Sequence, residues 1–132
     1  MKFLAFAIFI VLVNLINIFC YAGTGISPRK IALVTNQPLS GPAKEFSYIG
    51  RSSRAYFKYV NDQGGIHGRI IDLKIVDDQF KSEKSIKKIS ETIVKTEIFA
   101  VFSGLGNKTF QSVYPFLKKQ KIPSFFVGSN LP

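Results

Sequence analysis

The chain of 132 residues holds one cysteine and one histidine, and its 18 lysines and arginines outnumber 8 acidic residues. A single cysteine, Cys20, excludes an internal disulfide, so stability has to come from a packed core. His67 stands in a glycine-rich turn with no cysteine or serine partner near it in sequence. It reads as a solvated turn residue, and no nucleophile–base pair is visible anywhere. Asp77-Asp78 is the one adjacent pair of carboxylates. A receiver-type phosphorylation domain would hold Mg²⁺ with such a pair, but it would also need an acceptor Asp after the third strand, where Ser103-Gly104 stands. A P-loop is excluded as well, because the Gly-Lys-Ser/Thr ending is missing. The expectation is a protein that is not an enzyme and uses no cofactor and no metal.

Long apolar runs are also missing. The run Phe3–Val13 spans 11 residues, where a membrane-crossing helix needs about 20. With Lys2 before it and Cys20-Tyr21-Ala22 after it, the segment has the layout of a secretory signal peptide over residues 1–22, cleaved after Ala22. Lipid attachment at Cys20 would call for a small residue just before it, and Phe19 is bulky. The mature chain, 23–132, is therefore expected in the periplasm with no stable membrane span. Removing Lys2 lowers the formal charge of +10 to +9. Such a balance can signal a nucleic-acid partner. Here the lysines are spread over helix faces (Lys81, Lys84, Lys87 and Lys88; Lys118, Lys119 and Lys121). None forms a run interleaved with stacking aromatics, so no nucleic-acid partner is expected.

There is no internal repeat, low-complexity segment or linker, and about 110 mature residues make one small domain. Apolar runs at Lys30–Thr35, Ile70–Val76, Ile98–Phe102 and Ile122–Val127 read as strands. Helical spacing marks the segments between them. The first helix runs from about Ala43 to Asn61, with Phe46, Ile49, Tyr56, Phe57 and Val60, and Gly64-Gly65 stops it. The second covers Ser82–Thr96, with Ser82 as N-cap and an apolar stripe of Ile86, Ile89, Ile93 and Val94. The third covers Lys108–Gln120, with Phe110, Val113, Tyr114 and Leu117. Pro115 should kink it or shift its start. The order βαβαβαβ, with right-handed crossovers, predicts an α/β fold: a parallel sheet with helices on both faces.

Ligands of open α/β sheets bind at the carboxyl ends of the strands. After the third strand, Ser103-Gly104-Leu105-Gly106-Asn107-Lys108-Thr109 opens a helix whose free N–H groups suit an anion such as a carboxylate. A tight turn capped by Asn107 explains the same residues equally well. Gly128-Ser129-Asn130 after the fourth strand offers a hydroxyl beside the same place, or is an ordinary turn. Phe46, past the first strand, is either core or a cover for an apolar ligand group.

Four segments occur in order at consistent spacing: Pro38-Leu39-Ser40-Gly41-Pro42, then Tyr56-Phe57-Lys58-Tyr59-Val60-Asn61-Asp62-Gln63-Gly64-Gly65-Ile66-His67-Gly68-Arg69, then Val76-Asp77-Asp78, then the Gly104–Thr109 loop. Together they resemble the N-terminal part of the type I periplasmic binding proteins, in particular the branched-chain amino acid (Leu/Ile/Val) receptors of ABC transporters. The resemblance covers about Lys30 to Pro132. It implies a bilobed receptor that closes on an amino acid or similar small amide and delivers it to an ABC permease. On that likeness Leu105, Gly106, Asn107, Thr109 and Ser129 bind the ligand's carboxylate and amino group, and Phe46 lies against it. Asp77 and Asp78 become structural supports.

The chain departs from the pattern in two places. Relatives of the subgroup often read Gly-Thr-Pro-Thr-Asn where this chain reads Gly106-Asn107-Lys108-Thr109-Phe110, which brings a charge near the pocket. Family members also carry several hundred residues, a hinge and a second lobe. The reading is thus a truncated N-terminal lobe, not competent alone, whose permease partnership needs a second lobe from elsewhere. The alternatives are a small secreted single-lobe interaction module, a non-functional remnant of a split gene, or an enzyme on a flavodoxin-like sheet.

Overall fold

The computed structural model describes residues 24–129. The signal peptide read over residues 1–22, its cleavage after Ala22, Cys20 and the last residues from Asn130 lie outside the described residues.

Among the described residues, four parallel strands form one sheet: β1 (Lys30–Gln37), β2 (Ile70–Asp77), β3 (Ala100–Phe102) and β4 (Ser124–Phe125), in the spatial order β2-β1-β3-β4. Three helices connect them: α1 (Tyr48–Asp62), α2 (Ser82–Lys95) and α3 (Asn107–Gln120). A 3₁₀ turn, Lys44–Ser47, leads into α1. β1 and β2 pair over their whole length, from Lys30 opposite Ile70 to Gln37 opposite Asp77.

Alternation along β1 sends its side chains to two cores. Ala32 and Val34 join Ile89 of α2 and Phe110, Val113 and Leu117 of α3, with Ile98 and Val101. Leu33 joins Ile71, Ala100, Phe57 and Val60 on the face that α1 covers. Helices therefore lie on both faces, as the element order predicts. Parallel sheets require this, because each face is apolar and must be covered.

Several boundaries differ from the sequence reading. β1 runs on to Gln37, because Thr35, Asn36 and Gln37 are buried polar residues with partners inside the protein. Lys81, not Ser82, is the N-cap of α2, and no side-chain cap bond forms there. Val94 is 81% exposed and leaves the apolar stripe. It sits on the last turn of α2, past the packed stretch. Tyr56 and Tyr114 are likewise exposed. α3 begins at Asn107 and continues through Pro115. Gln111 and Pro115 are both exposed, so solvent can reach the turn where the proline removes a helical hydrogen bond.

The stop of α1 is built as expected. Gly64 and Gly65 take φ of 96° and 73°, and Gly65 donates its N–H to Val60 O at 3.0 Å. A β-carbon on Gly65 would stand 2.1 Å from the Arg69 carbonyl oxygen, so the close return of the chain needs glycine.

Candidate functional site at the carboxyl ends of the strands

Two loops run together past the ends of β3 and β4. Phe102 pairs with Phe125. The next residue of each strand, Ser103 and Phe126, turns into the left-handed region at φ 52° and 54°. Pairing then resumes at Leu105 and Gly128. Gly106 N–H donates to Gly128 O at 3.1 Å, and Gly128 N–H donates to Gly104 O at 2.9 Å. This double link carries Ser129 to the start of α3. The sequence-predicted residues Leu105, Gly106, Asn107, Thr109 and Ser129 are thus held in one loop cluster.

The start of α3 has its own supports. Gly106, at φ 94°, is the N-cap. A β-carbon there would stand 2.4 Å from Thr109 Oγ1 and 2.7 Å from Phe80 Cε2. Thr109 is buried and donates its hydroxyl to Leu105 O at 2.6 Å. The first helical N–H that finds an intrahelical acceptor is that of Phe110, on Gly106 O at 2.8 Å. The backbone N–H groups of Lys108 and Thr109 lie in the turn ahead of it, where helix geometry supplies no acceptor. The positive end of the helix dipole points the same way.

Buried polar residues of β1 and the β2 loop fix this cluster from below. Asn36 Nδ2 donates to Leu105 O at 3.1 Å and to Asp78 Oδ2 at 2.9 Å. Asp78 is fully buried and accepts the N–H of Phe80 at 2.9 Å. Gln37 Nε2 donates to Ser103 O at 2.6 Å. Asp77 ties the first loop to the second. It accepts the N–H groups of Leu39 (3.0 Å), Ser40 (3.2 Å) and Gln79 (3.1 Å) and the Ser40 hydroxyl (2.6 Å). Partial burial pushes its pKa up, but those four hydrogen bonds, led by the Ser40 hydroxyl, outweigh it and hold the carboxyl below its ordinary value. Lys84 donates to the Gln79 side-chain oxygen, which completes the brace. Both aspartates are committed to positioning loops, and among the described residues no group of three or more His, Cys, Asp or Glu side chains converges on a metal position.

Beside the cluster opens a cleft of about 470 Å³ lined by Phe80, Ser82, Gly106, Asn107, Lys108, Thr109 and Gly128. Its size suits a small molecule. Phe46 lies on the 3₁₀ turn, 48% exposed, and does not line this cleft. The aromatic that does is Phe80, 44% exposed, held at φ 59° by its backbone bond to Asp78. Sequence reasoning passed over Phe80 and Ser82. Their available signal was position: they directly follow the strand-ending pair Asp77-Asp78.

Parallel strands in this order, with ligand-sized space beside the β3 and β4 ends, make an open α/β lobe that matches a lobe of the type I periplasmic binding proteins. The model of the family described as periplasmic binding protein matches residues 29–132, and the chain belongs to that family. No curated protein sequence matches the chain. Among solved structures, it is similar to a fatty acid ABC transporter substrate-binding protein from Thermomonospora curvata. That likeness has 24% identity and a TM-score of 0.67, over 76% of this chain and 26% of the other. A possible leucine/isoleucine/valine-binding protein from Rhodopirellula baltica SH 1 aligns at 20% identity and TM-score 0.67, over 78% and 28%. The branched-chain amino acid transporter substrate binding protein from Streptococcus pneumoniae, in complex with isoleucine, aligns at 16% identity and TM-score 0.67, over 73% and 28%. The chain spans little more than a quarter of the length of each of these structures.

Proposed function

We propose that this chain supplies part of the ligand-gripping lobe of an extracytoplasmic solute receptor for an ABC permease, exported by a signal peptide over residues 1–22 with residues 23–132 forming the lobe segment. The ligand is a small carboxylate, an amino acid or a related molecule. It is bound rather than transformed. Its carboxylate sits on the first turn of α3, against the N–H groups of Lys108 and Thr109, with Ser129 contributing a hydroxyl. Leu105 and Gly106 shape the floor, and Asn107 and Thr109 set the helix start. Phe80, the aromatic that lines the cleft, flanks the apolar part of the ligand. The observation that carries this reading is the braced start of α3, opening into a ligand-sized cleft with no carboxylate in its lining.

One lobe segment leaves such a site wet, and hydrogen bonds in an open site contribute little net free energy. Binding by this chain alone should be no tighter than about millimolar, roughly −4 kcal/mol. The test is a titration of the isotope-labelled chain with isoleucine and, separately, with a short fatty acid, read at each backbone amide. Saturable shifts at Gly106, Lys108, Thr109 and Ser129 in the millimolar range support the reading. Shifts confined to other regions refute it. A Kd below about 10 μM would refute the expectation that this chain alone binds weakly.

A further inference from the structure

We infer that Lys108 makes the cleft selective for carboxylates that carry no ammonium group, so that an apolar monocarboxylate is preferred to the α-amino acid of the same skeleton. The inference rests on the carboxylate site proposed above and decides which of its ligand classes fits.

Lys108 is out of place by ordinary helix electrostatics. It is the second residue of α3, at the positive end of the helix dipole, where acids are favoured and cations are not. The first turn of α3 holds no acidic residue. α2 also starts with a lysine, Lys84, but Glu83 stands beside it and its ammonium donates to the Gln79 side chain. Lys108 has neither support. It is exposed, and among the described residues no salt bridge or side-chain hydrogen bond holds its ammonium.

The surroundings do not balance it either. The cleft's lining contains no other charged side chain. Asp78 is buried, with its oxygens on Asn36 and the Phe80 N–H. Asp77 is taken up by the first loop and Gln79. Glu83 is exposed, does not line the cleft and has exposed Lys81 two residues before it.

Free N–H groups, a positive dipole end and an uncompensated ammonium thus meet at one place in the cleft. A bare carboxylate answers all three. An α-amino acid brings its own ammonium on the carbon next to the carboxylate, and repulsion by Lys108 cancels much of the attraction. The rest of the wall suits an apolar chain, since Phe80 is exposed there and Gly106 and Gly128 present no side chain.

The experiment titrates the isotope-labelled full chain at low salt with isocaproate and with leucine, which differ only in the amino group. One unit charge at about 4 Å in water is worth about fivefold in affinity, so isocaproate should bind about fivefold more tightly than leucine. K108Q should weaken isocaproate about fivefold, leave leucine nearly unchanged and bring the two together. K119Q removes the same charge from the last turn of α3 and should keep the preference. K108Q should also raise the urea midpoint, and K108E should raise it further, because each relieves the clash with the helix dipole. Equal affinities in the parent chain would overturn the inference and leave the site standing. So would a preference that survives K108Q, or one lost equally in K119Q. No shift at Gly106, Lys108, Thr109 or Ser129 with either acid would overturn the site and the inference together. A lower midpoint in K108Q would give the ammonium a role inside the fold and overturn the claim that it is kept for a ligand.

Discussion

Asp77 shows how one side chain can hold two loops. It takes four hydrogen bonds from Leu39, Ser40 and Gln79, and bonds to a charged acceptor are each stronger than neutral ones. Asp77→Asn should lower stability at neutral pH by about 2 kcal/mol. Because the folded carboxyl titrates below its ordinary value of 3.8, its contribution is fully present above that value and is lost as pH falls through the lower, folded one. Urea unfolding between neutral pH and about pH 3 should therefore show an acid limb in the parent chain that is weaker in the variant. An unchanged limb would assign acid sensitivity to other carboxylates. Asn36 is a sterner case, because it is fully buried against fully buried Asp78. Asn36→Asp would place a second carboxylate beside the first, and a loss of more than about 3 kcal/mol is expected. The loops these two aspartates position were legible in the sequence as motifs, and Asp77-Asp78 read correctly as support. Phe80 was not legible as a cleft residue. Its side chain reaches the cleft through a left-handed backbone at Gln79 and Phe80, φ 52° and 59°, and no residue type at those positions advertises that turn.

At the scale of elements, the alternation of strand and helix periodicity was readable because each apolar residue answers to a nearby repeat. Ile86, Ile89 and Ile93 recur on one face of α2, and all three pack into the core. Ends are set by long-range partners and were less legible. β4 keeps only Ser124 and Phe125 as a strand, since Phe126 turns left-handed within the apolar run Ile122–Val127. Asn61 is another such partner. Its side chain donates to Ile71 O at 2.9 Å and accepts the Ile71 N–H at 2.7 Å, standing in for a neighbouring strand along β2. Asn61→Ala should cost about 2 kcal/mol by stripping both bonds from a buried backbone position, measurable as a shift of the denaturation midpoint with unchanged slope. Pro115 works in the other direction. It removes one helical hydrogen bond inside α3 on an exposed face, so Pro115→Ala should stabilise the chain by about 1 kcal/mol or more. A lower midpoint in that variant would mean that α3 is bent at the proline and packs in the bent form.

For the molecule as a whole, the two sheet faces are unequally dressed. α2 and α3 bury one face along β1 and β3. On the other, α1 brings Phe57 and Val60 over Leu33 and Ile71 but does not reach past β3. Aromatic rings fill that margin: Phe57 meets Phe102 at a tilt with centroids 5.0 Å apart, Phe102 meets Phe126 edge-on at 5.8 Å, and Phe99 approaches Phe125 at 6.4 Å. Phe125 is 42% exposed and Phe126 82% exposed among the described residues. Removing one such ring from water is worth about 2 kcal/mol, and several together beside the short edge strand β4 invite association. The purified chain should therefore self-associate as its concentration rises, seen as an increase in weight-average sedimentation coefficient. Phe126→Ser should suppress the increase and leave the unfolding midpoint nearly unchanged, because the ring is not part of either core. If the variant associates as strongly as the parent, the contact lies elsewhere. If it unfolds instead, the Phe102–Phe126 contact carries more of the fold than its exposure indicates.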